Sequence, residues 1–140
     1  MCAPTTKTYV ATPNAEIVYL CRRDAELAAL INHAGLVLPD GIGVVHASRI
    51  LRQPVPEKVA GIDFADALMA ELAREKRRLF LLGAKPGIAE QAAAALVQKH
   101  PGLVIAGCRD GYFKEDREAV ESINAAGGAD VVFVCLGAPK

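Results

Sequence analysis

The sequence has 140 residues, of which 52% are hydrophobic and 23% are charged, so it indicates one globular domain over residues 1–140 and excludes a disordered chain. Basic and acidic residues number 16 each, which leaves no net positive charge to attract nucleic acid, and we predict no nucleic-acid partner. No apolar run approaches the roughly 20 residues that a membrane-spanning helix needs.

The four cysteines (2, 21, 108 and 135) show neither C-x-x-C spacing nor paired histidines. We therefore predict ordinary thiols and no metal site. Because the sequence shows no signal-peptide pattern, we expect the protein in a reducing cytoplasm.

The first half of the sequence predicts alternating strands and helices. The predicted elements are a strand over 7–11, helices over 15–20 and 25–32, a strand over 36–38 and a helix over 42–51. Asn14 and Asp24 stand where they can cap the first two helices. The apolar run Leu36–Leu38 is typical of a buried strand. Two prolines predict a loop over 52–61.

The second half continues the alternation. Helices are predicted over 63–76, 85–100 and 114–128, and strands over 77–83, 103–108 and 129–137. The continuous apolar run Leu79–Leu82 is expected of a strand that is covered on both sides. The whole pattern predicts an α/β, Rossmann-like fold with a mostly parallel sheet and helices on both faces.

The sequence ends at Lys140, soon after the apolar run of its last predicted strand. A doubly wound sheet normally continues there with a helix that covers the strand. We therefore expect this chain to be a fragment of a longer domain. Apolar faces left exposed in this way predict self-association into a homo-oligomer.

Ligands of open parallel sheets bind at the carboxyl ends of the strands. Five loops follow predicted strands, and they carry Thr12 and Asn14, Asp40–Gly43, Gly83–Gly87, Gly107–Phe113 and Gly137–Lys140. Glycine occurs in four of these loops and lets backbone N–H groups approach a ligand closely. These glycine-bearing loops form the rim of the sheet at the carboxyl ends of its strands, and such a rim favours binding of a nucleotide or a nucleotide sugar.

One alternative is an NAD-binding oxidoreductase domain. Gly41-x-Gly43 follows a strand and opens a helix, and Asp63 lies about twenty residues further on, as in the dinucleotide fingerprint. However, His46 stands at the third glycine position, and Asp40 would repel a pyrophosphate. A non-catalytic nucleotide-binding module is a second alternative.

Asp40 and Asn14 each have a structural interpretation beside the functional one. Pro-Asp-Gly is a common turn, so Asp40 is either a turn or capping residue or a carboxylate base at the rim. Asn14 is either a helix cap alone or also a ligand contact.

Seven segments, taken in order, resemble a known family. They are TPNAEIV, LPDGIGVV, EKVAGIDF, LFLLGAKPGIAEQAA, HPGLVIAG, DGYF and VCLGAPK. From Tyr9 to Lys140 the chain is similar to the WecG/TagA/CpsF family of bacterial glycosyltransferases. The resemblance implies inverting transfer of N-acetylmannosamine, or its uronic acid, from UDP to undecaprenyl-diphosphate-linked N-acetylglucosamine. It also implies a role in the synthesis of teichoic acid or another cell-surface polysaccharide, at the inner face of the cell membrane.

The same resemblance implies roles for individual residues. Asp40 matches the proposed catalytic base, Thr12 and Asn14 match residues that contact the sugar, and Lys58 stands where the family has a diphosphate-binding arginine. The remaining implied substrate-binding residues are Gly41, Gly83, Gly111, Tyr112, Gly137 and Pro139. Because no D-x-D motif occurs, we expect no metal and no cofactor beyond the UDP-sugar donor.

The family has a PKQE motif here, followed by a basic C-terminal appendage with residues implied to contact the membrane. The sequence ends at Lys140, so it contains Pro139 and Lys140 of that motif and lacks its glutamine, its glutamate and the appendage. We therefore expect residues 1–140 to be the glycosyltransferase core, with peripheral membrane contact made through the appendage.

Overall fold

A computed structural model describes residues 7–55 and 59–136. The chain packs as two compact units, Met1–Ala65 and Asp66–Lys140, and each contains parallel strands and helices. The predicted α/β class with parallel strands flanked by helices is confirmed.

The first unit contains the short elements. They are β1 (Val10–Ala11), α1 (Ala15–Leu20), α2 (Ala25–Asn32), β2 (Leu36–Val37), α3 (Ile42–Ile50) and the beginning of α4 (Gly61–Glu75). Asn14 Oδ1 accepts a hydrogen bond from Ile17 N at 2.9 Å, and Asp24 Oδ1 accepts one from Leu27 N at 2.9 Å. Both predicted helix caps are therefore confirmed, and each satisfies an N–H group that the helix leaves unpaired.

The β1–β2 ladder is shorter and more exposed than the sequence predicts. Only Val10 and Ala11 of the predicted strand 7–11 pair with β2. The prediction of a buried strand over 36–38 is wrong for Leu36 and Val37, which are exposed, and right for Leu38, which is buried. A ladder of only two residue pairs is too short for neighbouring elements to cover both of its faces.

The second unit contains a three-stranded sheet with helices around it. Its elements are the remainder of α4, β3 (Arg78–Gly83), α5 (Ile88–Lys99), β4 (Val104–Arg109), α6 (Asp116–Ala125) and β5 (Val131–Cys135). The strand order is β4-β3-β5, and both pairs are parallel.

Strand β3 forms the centre of this unit because its side chains alternate between two apolar clusters. Phe80 and Leu82 pack with Ala119 of α6 on one face. Leu79 and Leu81 point to the other face. The buried partners on that second face are Met69 and Leu72 of α4, Ala89 of α5, and Leu103. The prediction of helices on both faces is confirmed for this sheet.

Strand β5 is less buried than its composition suggests. Val134 and Cys135 are exposed, so the prediction of a fully buried strand over 129–137 is wrong at its carboxyl end. Within the described residues, β5 pairs with β3 alone and lies at a sheet edge, where only one neighbouring strand covers it.

Candidate functional site

In the first unit, the ends of the two parallel strands lie side by side. Leu38 N donates a hydrogen bond to Ala11 O at 2.8 Å, and Asp40 N donates one to Pro13 O at 3.2 Å. The second bond joins the turn after β2 to the turn over residues 12–14. Two loops that the strand-end rule selects from the sequence therefore meet at one edge.

The beginning of α4 joins this edge as a third segment. Val59 N donates a hydrogen bond to Pro39 O at 3.3 Å, so the segment leading into α4 lies against the turn that holds Asp40. A Cβ placed on Gly61 would lie 3.8 Å from Thr12 Cγ2, which brings the helix start against the first turn as well. Thr12, Asp40 and the first residue of α4 thus belong to one cluster.

The turn at Asp40 depends on the glycine that follows it. Gly41 has φ 85° and ψ 150°, a backbone region that essentially only glycine occupies. A Cβ at Gly41 would meet nothing within 4 Å, so the backbone conformation, and not a lack of space, requires glycine there. Gly41 directly precedes α3, so Asp40 lies next to the positive end of that helix, where a carboxylate is favoured.

Asn14 serves the first unit as a helix cap. Because its Oδ1 accepts the capping bond from Ile17 N, its amide nitrogen is the group that it can offer to a ligand. Thr12 lies two residues earlier in the same turn and is exposed.

In the second unit, hydrogen bonds join the three strand ends to one another. Ala84 N donates to Cys135 O at 3.2 Å, and Gly111 N donates to Ala84 O at 2.9 Å. Gly83, at the end of β3, has φ +133°, and a Cβ on it would lie 2.2 Å from Cys135 O. A Cβ on Gly111 would lie 2.9 Å from Leu136 Cδ2. Packing between strand ends therefore requires glycine at position 83, where the Cβ would meet backbone, whereas at position 111 it would meet only the end of a flexible side chain.

Gly87 differs from these two glycines. It precedes α5 in the left-handed conformation (φ 84°, ψ −15°), and a Cβ on it would meet nothing within 4 Å. It is the glycine of the 83–87 loop whose backbone is open to approach by a ligand.

Arg109 and Glu118 form a polar cluster that sequence reasoning missed. The Arg109 guanidinium donates to Glu118 Oε2 at 2.9 Å and to Ser122 Oγ at 2.7 Å. Glu118 Oε1 accepts hydrogen bonds from the backbone N–H groups of Lys114 and Glu115. These backbone bonds, and then the nearby Arg109 charge, lower the pKa of the Glu118 carboxyl. The E-x-x-E spacing at 115–118 was the available signal, since it matches a capping box.

This cluster fixes the end of the loop that carries Gly111 and Tyr112. At the beginning of the loop, Tyr112 N donates to Asp110 Oδ1 at 2.8 Å, and the Tyr112 side chain is exposed. The loop thus begins with a local turn directly after β4 and is fastened to α6 at its other end.

We expect Arg109→Met to lower the free energy of unfolding by about 1.5–3 kcal/mol, the usual loss for hydrogen bonds to a charged group. Arg117→Met is the matched control, because Arg117 also pairs with a glutamate of α6, Glu121, but with 82% of its side chain exposed. That exposed pair is worth about 0–1 kcal/mol. Urea unfolding measures both variants, and equal losses would show that Arg109 stabilises no more than a surface ion pair does.

Two features are absent from the described part of the chain. There, no group of three His, Cys, Asp or Glu side chains is placed to hold a metal ion. None of its helices combines the length and the apolar character needed to cross a membrane.

The predicted site residues fall into two described groups. Thr12, Asn14, Asp40 and Gly41 lie together in the first unit, and Gly83, Gly111 and Tyr112 lie together in the second. Lys58, Gly137 and Pro139 lie outside the described residues.

The structure disfavours the dinucleotide fingerprint. Asp63 lies in the first turn of α4 and not at the end of a second strand, where that motif places its acidic residue. His46 is exposed on α3 at the position of the missing third glycine.

Comparisons with known proteins identify relatives. A family model described as "Glycosyl transferase WecG/TagA/CpsF family" matches residues 1–140. Two curated proteins that match are both named N-acetylglucosaminyldiphosphoundecaprenol N-acetyl-beta-D-mannosaminyltransferase. The one from Bacillus spizizenii is 35% identical over 132 residues, which are 94% of this chain and 51% of that protein. The one from Bacillus subtilis is 34% identical over 130 residues, which are 93% of this chain and 50% of that protein. The chain therefore spans about half the length of the curated relatives it matches.

Proposed function

This chain belongs to the WecG/TagA/CpsF family of glycosyl transferases, and from that premise we propose that it carries the donor site and the catalytic base of an inverting glycosyltransferase. The proposed donor is UDP-linked N-acetylmannosamine or its uronic acid. The proposed acceptor is undecaprenyl-diphosphate-linked N-acetylglucosamine at the inner face of the bacterial membrane. The names of the two relatives contain this lipid-linked sugar and the transferred N-acetylmannosaminyl group.

The observation that carries this proposal is the cluster around Asp40. Hydrogen bonds bring the turn over 12–14, the Asp40 turn and the segment before α4 to one edge. Asp40 is half-buried there, and the strained Gly41 fixes the turn in which it lies. A base must be held in a defined position to abstract a proton from a bound hydroxyl group.

The proposed reaction assigns one step to the Asp40 carboxylate. The acceptor hydroxyl oxygen attacks the anomeric carbon of the donor sugar, while the bond from that carbon to the UDP oxygen breaks. UDP leaves with the bonding electron pair, and the carboxylate takes the proton of the attacking hydroxyl group. Attack opposite the leaving group inverts the configuration of the anomeric carbon.

The other assignments follow the family resemblance. Thr12 and the Asn14 amide contact the donor sugar, and Gly41 lets the chain approach it closely. The residues proposed to contact uridine or the diphosphate are Lys58, Gly83, Gly111, Tyr112, Gly137 and Pro139. We propose that basic side chains and backbone N–H groups neutralise the leaving UDP without a metal ion.

We expect UDP to bind this chain with an affinity that EDTA does not change. Isothermal titration with UDP, before and after EDTA treatment, measures this directly. NADH is the matched control ligand, because it also carries a diphosphate but belongs to the oxidoreductase alternative; we expect no binding.

Two results would contradict this expectation. UDP binding that EDTA abolishes and magnesium or manganese restores would overturn the metal-free proposal. Binding of NADH in preference to UDP would overturn the glycosyltransferase proposal itself.

A further inference from the structure

Arg109, the last residue of β4, reaches across to helix α6 with most of its side chain covered. The side chain is 29% exposed, and its two terminal nitrogens donate the hydrogen bonds to Glu118 and Ser122 described above. Arg109 Nε is buried and has no hydrogen-bond partner among the described residues. This unpaired N–H group offsets part of the stability that the two bonds contribute.

Glu118 links the guanidinium group to the loop between β4 and α6. This loop covers residues 110–115, and we call it the β4–α6 loop. Glu118 Oε2 accepts from Arg109 at 2.9 Å, while Oε1 accepts from Lys114 N at 3.1 Å and Glu115 N at 3.2 Å. One carboxylate therefore joins the residue before the loop to the last two residues of the loop.

The middle of the loop is held from two further sides. Gly111 N donates to Ala84 O, which ties the loop to the end of β3. The guanidinium carbon of Arg109 lies 5.9 Å from the centre of the Phe113 ring. That ring packs against the buried apolar cluster between β3 and α6. Arg109 thus contacts the loop directly as well as through Glu118.

Tyr112 lies between these fixed points and is exposed. It is 66% exposed, whereas its neighbours Gly111 and Phe113 are buried and half-buried. The loop therefore presents one aromatic side chain at the carboxyl edge of the sheet, where ligands of parallel sheets bind. An aromatic ring on a fixed backbone is suited to stacking on a nucleotide base.

We propose that Arg109 is a positioning residue for the donor nucleotide. Through Glu118 and Phe113 it holds the β4–α6 loop in the conformation that sets the Tyr112 ring against the uracil base. Because the loop is already ordered, nucleotide binding does not have to order it. This inference rests on the proposed function, which assigns Tyr112 to the uridine or the diphosphate.

Titration of this chain with UDP measures the effect of Arg109. Arg109→Met should raise the Kd for UDP about tenfold, because a loop that adopts the binding conformation about one-tenth of the time weakens binding by that factor. Arg117→Met is the matched control: it removes an arginine that pairs with Glu121 on the same helix, and it should leave the Kd unchanged. A residue that only stabilises the fold would lower the unfolding midpoint without changing the Kd of the folded chain. An equal Kd in Arg109→Met and in the unsubstituted chain would overturn the proposal.

A second substitution tests whether Arg109 acts through Tyr112. Tyr112→Ala alone should raise the Kd about tenfold or more, the usual loss when a base loses its aromatic partner. Adding Arg109→Met to that variant should then raise the Kd less than about twofold, because the loop no longer carries the ring that it positions. Losses that multiply in the double variant would show that Arg109 affects UDP independently of Tyr112, and would overturn the positioning role.

Glu118→Gln tests the same link with less disturbance of the fold. It keeps one oxygen for the loop N–H groups and loses the carboxylate that Arg109 contacts. We expect the Kd for UDP to rise about threefold, the equivalent of one hydrogen bond. Glu121→Gln is its matched control and should bind UDP normally. Normal binding by both glutamine variants, with circular dichroism showing both folded, would contradict the proposal.

A fluorescent reporter tests the state of the loop without any nucleotide. The sequence contains no tryptophan, so Tyr112→Trp introduces a single one into the β4–α6 loop. Its fluorescence anisotropy should fall when Arg109→Met is added and stay constant when Arg117→Met is added. Constant anisotropy in both cases would show that Arg109 does not hold the loop.

The unsubstituted chain separates this inference from the proposed function. If that chain binds no UDP, the proposed function is overturned together with the role of Arg109. If it binds UDP, and Arg109→Met binds UDP with the same Kd, the positioning role alone is overturned.

Discussion

Asp40→Asn is expected to lower kcat by about 10²- to 10⁴-fold, the usual contribution of general-base catalysis. Asparagine suits a turn as well as aspartate does, but it cannot accept a proton at neutral pH. The unfolding temperature and the affinity for UDP should therefore change little, since neither depends on a base. The measurement is transfer of sugar to a lipid-linked acceptor by the whole protein, together with UDP titration and thermal unfolding.

Asp24→Asn is the matched control for this experiment. Asp24 caps α2 through its Oδ1 and belongs to no proposed site, so the same chemical change there should preserve the rate. If Asp40→Asn retained most of the activity, or lost activity only in proportion to stability, Asp40 would be a turn residue and not the base.

Gly83→Ala is expected to destabilise the second unit by about 3 kcal/mol or more, because overpacking and backbone strain would add. The new Cβ would lie 2.2 Å from Cys135 O and 2.5 Å from Cys135 C, which are backbone atoms of the neighbouring strand. The backbone at Gly83 also has φ +133°, which side chains rarely tolerate. Urea unfolding followed by circular dichroism measures the loss.

Gly87→Ala provides the comparison in the same loop. Gly87 has φ +84° but open space around its Cα, so only the conformational strain of about 1 kcal/mol should appear. Similar losses in the two variants would mean that β3 and β5 separate enough to accept a methyl group. A larger loss at Gly83 would support the close approach of the two strand ends.

The helices could be predicted from the sequence because their signals are local. Asn14 and Asp24 cap the helices that their positions indicate, and α3 ends one residue before its predicted end. The burial of strands could not be predicted in the same way. Leu36, Val134 and Leu79 all lie in apolar runs of the sequence. Their burial differs because it depends on how many strands pair with the strand that carries them.

The candidate site shows the same division. The meeting of the 12–14 turn with Asp40 follows from the rule that parallel strands end at one edge. The reason for glycine at position 83 could not be predicted from the sequence, because the sequence does not distinguish a glycine that makes room for a ligand from one that makes room for a neighbouring strand. The pairing of Arg109 with Glu118 depends on how β4 meets α6 in three dimensions.

The position of β3 between β4 and β5 has a consequence for biosynthesis. A ribosome makes β3 first, then β4, and completes β5 only after α6 has been made. Until then, one edge of the most apolar strand in the unit has no hydrogen-bonding partner. Nascent chains that stop before Val131 should therefore associate through this open edge. Emergence of β5 from the ribosome is the event that gives this edge of β3 its partner strand.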